Sequence, residues 1–170
     1  MKDFTNYAGL EENFENIDVA CYCIGVYTGA VNREKFREIT VDYTIAFADL
    51  LKKKSPDATV CFLSGAGSDQ SEKSRMMFAK DKGVAENYIV NLGMSKVHTF
   101  RPGYIYPVAK RKEPNFSYRL SRRIYPLMKL LMPNRVITSE ELALAMFKVG
   151  MKGGKQFVYE NKDIKQIVVK

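Results

Sequence analysis

The side chains able to do chemistry are few, and their placement narrows what that chemistry is. Cys21, Cys23 and Cys61 all lie in apolar runs, and Cys21 and Cys23 are two apart, the spacing that puts them on one face of a strand. A metal centre needs more than this. The chain has one histidine, His98, and no C-x-x-C pair, so the cysteines are expected as buried, reduced thiols with no metal, as suits a reducing compartment. His98 alternates with Val97 and Thr99 on a short strand and reads as a structural histidine. The remaining candidates cluster at the ends of apolar runs. Gly25 follows DVACYCI (18–24), Ser64-Gly65 follow ATVCFL (58–63), and Arg101-Pro102-Gly103 follow KVHTF (96–100). Ser64 can serve as a catalytic hydroxyl or as a turn residue bonding its own backbone. Lys82 is either a ligand-binding amine or a solvated helix lysine among Lys73 and Lys80.

The elements that would position these residues follow from periodicity. Leu10–Asn16 reads as a short helix. From Glu34 to Lys53 the apolar positions Phe36, Ile39, Tyr43, Ala46, Phe47 and Leu50 recur at steps of three and four, an amphipathic helix stopped by Ser55-Pro56-Asp57. Ser71 and Ser74 offer an N-cap region for a helix over roughly 74–92, with Gly93 as its C-cap. Thr138 and Glu141 have capping-box spacing ahead of ELALAMFKVGM, which Gly153-Gly154 end. Gln156–Tyr159 reads as a last strand, and Ile164–Val169 as an ambiguous tail. Met76, Met77, Met128, Met132 and Met146 fall in helical patterns and are expected in the core. Strand and helix alternate, which implies a parallel sheet flanked by helices. In such sheets ligands bind beyond the carboxyl ends of the strands, where Gly25, Ser64-Gly65 and Arg101-Pro102-Gly103 fall.

At 170 residues the chain fits one domain with a sizeable core, and its 46% apolar content argues against disorder. No apolar run reaches the ~18 residues of a membrane span, and the first 18 residues are polar, so a cytoplasmic protein is expected. The formal charge of +8 invites nucleic acid or an anionic membrane as partner. Its location qualifies that. Between Pro107 and Arg135 stand Lys110, Arg111, Lys112, Arg119, Arg122, Arg123, Lys129 and Arg135 against the single Glu113, a segment of net +7 that leaves +1 for everything else. Leu120, Ile124, Leu127 and Leu131 within it step by four, three and four, an amphipathic helix that Pro126 kinks or divides. The segment 107–135 is a lid over a cofactor or anionic substrate, a membrane or nucleic-acid surface, or a solvated helix face. Its place after the third strand puts a small anionic ligand ahead of nucleic acid or membrane.

CFLSGAGSD (61–69), a helix holding Phe78-x-x-x-Lys82-Gly83, and FRPGYIYP (100–107) together resemble the second half of a short-chain dehydrogenase/reductase domain, of the atypical epimerase/dehydratase-like group that includes the Tat-interacting-protein-like oxidoreductases. DVACYCIG resembles that family's fourth strand and SEELALAMFKVG its C-terminal helix, so the likeness runs from about Asp3 to Glu160. It implies an NAD(P)-binding Rossmann-like fold and reduction or epimerisation of a small carbonyl or sugar-like substrate. It also implies site roles. Ser64 and Lys82 match the family's serine and lysine regions, and Gly25, Pro102, Gly103 and Tyr104 flank the cofactor.

The resemblance carries two departures. The chain has no G-x-x-G-x-x-G turn for the pyrophosphate, and about sixty residues, two βα units, are expected to be missing ahead of it. The family's Tyr-x-x-x-Lys pair has the lysine lower the tyrosine's pKa so that it serves as general acid/base. Here the tyrosine position is Phe78, which cannot exchange a proton, and that role is worth ~10²–10⁴-fold. Tyr88, Tyr104 or Tyr106 would have to substitute, or Phe78→Tyr would have to restore activity in a complete domain. The expectation is therefore a partial Rossmann-like domain over residues 1–170, impaired in catalysis and in NAD(P) binding. The alternatives are a non-catalytic module meeting an anionic partner through the basic segment, and a fragment of a longer coding sequence. The 18–24 strand is expected at a sheet edge, open to self-association or to a partner supplying the absent half.

Overall fold

The computed structural model describes residues 3–109 and 116–169; Lys110, Arg111, Lys112 and Glu113 of the basic segment lie outside the described residues. Four strands form a parallel sheet: β1 (Val19–Tyr22), β2 (Thr59–Leu63), β3 (Val97–Arg101) and, further along the chain, β6 (Val158–Glu160), in the order β1-β2-β3-β6. The register runs Cys21 opposite Cys61, Cys61 opposite His98, and Phe100 opposite Tyr159. β2 and β3 are buried on both faces because helices cover both.

One face carries a helical run and α3 (Met77–Asn91). The run consists of α1 (Arg33–Arg37), a π-helical turn at Glu38–Asp42 and α2 (Tyr43–Lys54). Tyr22, Leu51, Val60, Phe62, Ala85, Ile89 and Val97 form the core between them. The other face carries α5 (Ser139–Lys152) and α6 (Asn161–Val169) over Cys61, Phe100, Ile137, Met146, Tyr159 and Ile164. The result is a three-layer α/β/α domain, a partial Rossmann-like fold. The expected capping box is formed: Thr138 Oγ1 accepts from the Glu141 amide at 3.1 Å, and Glu141 Oε2 accepts from the Thr138 amide at 2.8 Å. Gly93 follows α3 with φ +76°.

Several expectations are corrected. Ser71 and Ser74 do not cap α3, which begins at Met77. Both instead bond to Asp69, whose carboxylate accepts from the Ser71 and Ser74 amides and gathers the loop after β2. The tail is not ambiguous but the helix α6. β4 (Tyr104–Tyr106) and β5 (Val136–Thr138) pair in parallel as a small second sheet that periodicity did not announce, each being only three residues long. Between them runs α4 (Phe116–Leu131), which continues through Pro126 without dividing. Met146 is in the core, but Met76 and Met132 are exposed. Cys61 is buried, whereas Cys21 and Cys23, in and just after β1, are exposed; among the described residues β1 has a neighbour on one side only.

Among the described residues β1 pairs with β2 alone. Its other edge leaves amide and carbonyl groups in a line, a template for another strand. The chain expressed on its own should elute from size-exclusion chromatography as a dimer or larger species, and Cys21→Lys, a charge set on that edge, should shift it toward monomer. A wild-type monomer at every concentration would contradict this.

Candidate functional site

α3 aims its residues at the carboxyl ends of β1 and β2. Phe78, Lys82 and Glu86 are spaced by four and so share one helix face. Phe78 meets Gly65, the first glycine beyond β2. A Cβ at Gly65 would stand 2.6 Å from Phe78 Cζ and 3.5–3.6 Å from the two flanking ring carbons. That near-symmetry means the ring's para position points straight at Gly65, and only glycine leaves room for it.

Lys82 is not a solvated lysine. It is buried, its Nζ donates to the Leu63 carbonyl at 3.2 Å, and it lies 5.4 Å from the centre of the Phe62 ring. A Cβ built on Gly25 would come within 4.0 Å of the same Nζ, so the amine sits beneath the end of β1. Burial pushes its pKa down from 10.5 to about 8, against the opposing pull of Glu86 and Cys23.

Glu86 is fully buried and held on three sides. Arg101 reaches it through Nε at 3.0 Å and through a second, charge-assisted contact from Nη2, and Ser64 Oγ donates to its Oε1 at 2.5 Å. Arg101 also bonds Glu160 at 3.1 Å. The network therefore ties α3 to β2, β3 and β6. Ser64 bonds Ser68 Oγ as well, at 2.8 Å. With its proton directed to Glu86, Ser64 takes the Ser68 proton, and its one donor is spent on a protein group.

The third strand end is similarly engaged. The Pro102 carbonyl accepts from the Ala66 amide at 2.9 Å, and the Gly103 amide donates to Asn161 Oδ1 at 2.8 Å. A Cβ at Gly103 would collide with the Arg135 carbonyl, so glycine is required where β3 passes the approach to β5. Tyr104 lines a cleft of about 200 Å³ with Tyr27, Gly103, Ile105, Pro107, Tyr118 and Ser139. A larger cavity, about 360 Å³, lies instead against α5 and α6 at Lys148, Lys152 and Tyr159 and contains none of these residues. His98 Nδ1 is bonded to the Gln156 carbonyl at 2.8 Å. Tyr88 is turned away, donating to Asp49 at 2.5 Å on the α2 side, and Tyr106 stacks on Tyr125 with ring centres 4.0 Å apart.

Gly25, Ser64, Phe78 and Lys82 are thus brought together, Pro102 joins them through Ala66, and Gly103 and Tyr104 belong to the adjoining cleft. Glu86 and Asp81 were missed as parts of the site, and Arg101, expected only as part of a strand end, is the residue that holds Glu86. Asp81 is fully buried and bonded by Arg33 and Arg37, which fixes α1 to α3. For Glu86 the signal was there: it continues the four-residue spacing from Phe78 through Lys82.

Neither a protein-family model nor a curated protein sequence matches the chain. Solved structures do share its fold. RMD from Pseudomonas aeruginosa complexed with NADPH superposes with a TM-score of 0.69 at 15% identity, over 94% of this chain and 65% of that one. Helicobacter pylori ADP-L-glycero-D-manno-heptose-6-epimerase gives 0.65 at 16% identity over 98% of this chain and 62% of its own, and the Bordetella bronchiseptica enzyme WbmF in complex with NAD+ gives 0.65 at 12% over 98% and 61%. The chain spans less than two thirds of the length of each. At these identities the likeness is one of fold.

A dinucleotide at these strand ends would find the Lys82 amine near Gly25. Among the described residues no helix N-terminus with a glycine-rich turn is placed for the pyrophosphate, and Gly65 is filled by the Phe78 ring.

The Phe78–Gly65 contact also alters what a restoring substitution should do. A tyrosine hydroxyl at 78 would run into Gly65, so Phe78→Tyr should destabilise the fold by about 1–3 kcal/mol in place of restoring a general acid. Gly65→Ala should do likewise, and Phe78→Leu should relieve Gly65→Ala in a thermal-denaturation cycle. Wild-type stability in Phe78→Tyr would show that the ring has another place to go.

Proposed function

We propose that this chain is the nicotinamide- and substrate-side part of an NAD(P)-dependent oxidoreductase or epimerase related to the short-chain dehydrogenases, impaired in catalysis. The observation that carries the reading is Lys82, a buried amine held at the carboxyl ends of β1 and β2 beneath Gly25. The fold it shares with structures holding NADPH or NAD+ supports it. NAD(P), when bound, supplies the hydride acceptor or donor. The chain's own residues have narrower duties. Lys82 holds the nicotinamide ribose, and the tyrosine-lined cleft takes a small carbonyl or sugar-like substrate. Phe78 cannot move a proton and Ser64 is already bonded to Glu86 and Ser68, so the ~10²–10⁴-fold of general acid/base catalysis is missing. Of the tyrosines proposed as substitutes, Tyr104 alone lines the cleft.

Isothermal titration tests this. The chain should bind NADPH and reduced nicotinamide mononucleotide with similar Kd values, both weaker than about 100 µM, and Lys82→Met should abolish both. NADPH affinity at micromolar or tighter, or binding indifferent to Lys82→Met, would overturn the proposal.

A further inference from the structure

α4 is amphipathic and faces the wrong way for a soluble surface helix. Its half-buried positions are Tyr118, Ser121, Arg122, Tyr125 and Met128, the polar and phenolic side. Tyr125 stacks on Tyr106 at 4.0 Å, Tyr118 meets Tyr27 edge-on at 4.6 Å, and Arg122 lies 5.5 Å from the centre of the Tyr106 ring. The aliphatic stripe points out. Phe116, Leu127 and Leu131 are 68%, 56% and 67% exposed, with Leu120, Ile124 and Leu130 beside them. On a 3.6-residue wheel Phe116, Leu120, Leu127 and Leu131 fall within about 60° of one another, roughly opposite Tyr118 and Tyr125. An aliphatic stripe normally turns to the core; here tyrosines hold the helix down and the stripe meets solvent.

The charges say what would cover it. Phe116–Leu131 contains Arg119, Arg122, Arg123 and Lys129 and no acidic residue, and Lys110, Arg111 and Lys112 precede it in the sequence. Arg119 and Arg123 border the stripe on one side, and Arg119 also lies over the Phe116 ring at 5.9 Å. Lys165 of α6 bonds the Pro133 carbonyl just beyond the helix. Nucleic acid would match the cations and leave six large apolar side chains against water. An anionic bilayer matches both, with aliphatic residues entering the acyl boundary and arginines at the headgroups. The sequence alone puts a small anionic ligand ahead of a membrane; the direction α4 faces reverses that order.

We propose that α4 is a membrane-surface helix that seats the domain on anionic lipid through Phe116, Leu120, Ile124, Leu127, Leu130 and Leu131. This binding does not depend on the nucleotide reading. It is tested by co-sedimentation of the full chain with vesicles of phosphatidylcholine alone or mixed equally with phosphatidylglycerol. The anionic vesicles should pellet the protein, with affinity falling steeply between about 0.1 M and 0.5 M salt. Leu120→Glu/Leu127→Glu should weaken binding at least about tenfold with the far-UV circular dichroism unchanged. Arg119→Gln/Arg123→Gln should weaken it about fivefold per cation at low salt, and decides the matter should the leucine pair disturb folding. No pelleting by anionic vesicles overturns the proposal. So does binding undiminished in both variants, nucleic-acid binding without vesicle binding, or a self-associated species that Leu120→Glu/Leu127→Glu dissociates while vesicles fail to bind, which would make a second copy the occupant.

Discussion

The carboxyl end of the sheet depends on burying charged groups along one helix. α3 takes Asp81, Lys82 and Glu86 out of water, and each would cost several kcal/mol if left unsatisfied. Two are offset by partners that double as fasteners. Asp81 is bonded by Arg33 and Arg37 and so holds α1; Glu86 is bonded by Arg101 and Ser64 and so holds β2 and β3. Removing one partner would strand the other, a loss of about 3–5 kcal/mol. Lys82 is different. Among the described residues its close contacts are one backbone carbonyl and the face of a phenyl ring, a poor exchange for hydration, and burial lowers the pKa of its amine against the pull of Glu86 and Cys23. A group kept buried without adequate partners is where ligand chemistry is to be sought.

The same arrangement engages the other groups at the strand ends. Ser64 is a link in the Glu86 network. Phe78 is a phenyl ring aimed at a glycine. The amide at Gly103 serves Asn161. The polar groups Ser64, Glu86, Arg101 and the Gly103 amide at the strand ends are bonded to other protein groups.

Much of this was legible in the sequence. The buried runs before Gly25, Ser64 and Arg101 gave the three strands because continuous apolar stretches bounded by turn residues mark strands covered on both faces. Thr138 and Glu141 announced α5 through their own hydrogen bonds, which are local. What was not legible is not local. The β4–β5 pair joins segments thirty residues apart, each too short for a pattern. Exposure of Cys21 and Cys23 goes with β1 having one neighbour among the described residues, a fact of topology. Ser64 as a network link needed Glu86 in space, and the outward stripe of α4 needed Tyr27 and Tyr106 as its inward partners. Periodicity finds an apolar face but not the direction it points.

Lys82 is buried at the strand ends, and burial pushes its pKa down to about 8 from the usual 10.5. Its consequence has a definite sign. Below pH 8 both folded and unfolded chains carry the proton, and the folded state bears the full cost of a buried ammonium. Between about 8 and 10.5 the unfolded chain binds a proton that the folded one does not, so this group's contribution to stability rises with pH. Urea denaturation of wild type and Lys82→Met across pH 7 to 10.5 measures it directly. The variant should be the more stable at pH 7, by up to about 3 kcal/mol, and its advantage should close as pH rises through that window. A difference between the two proteins that does not change with pH would contradict the account.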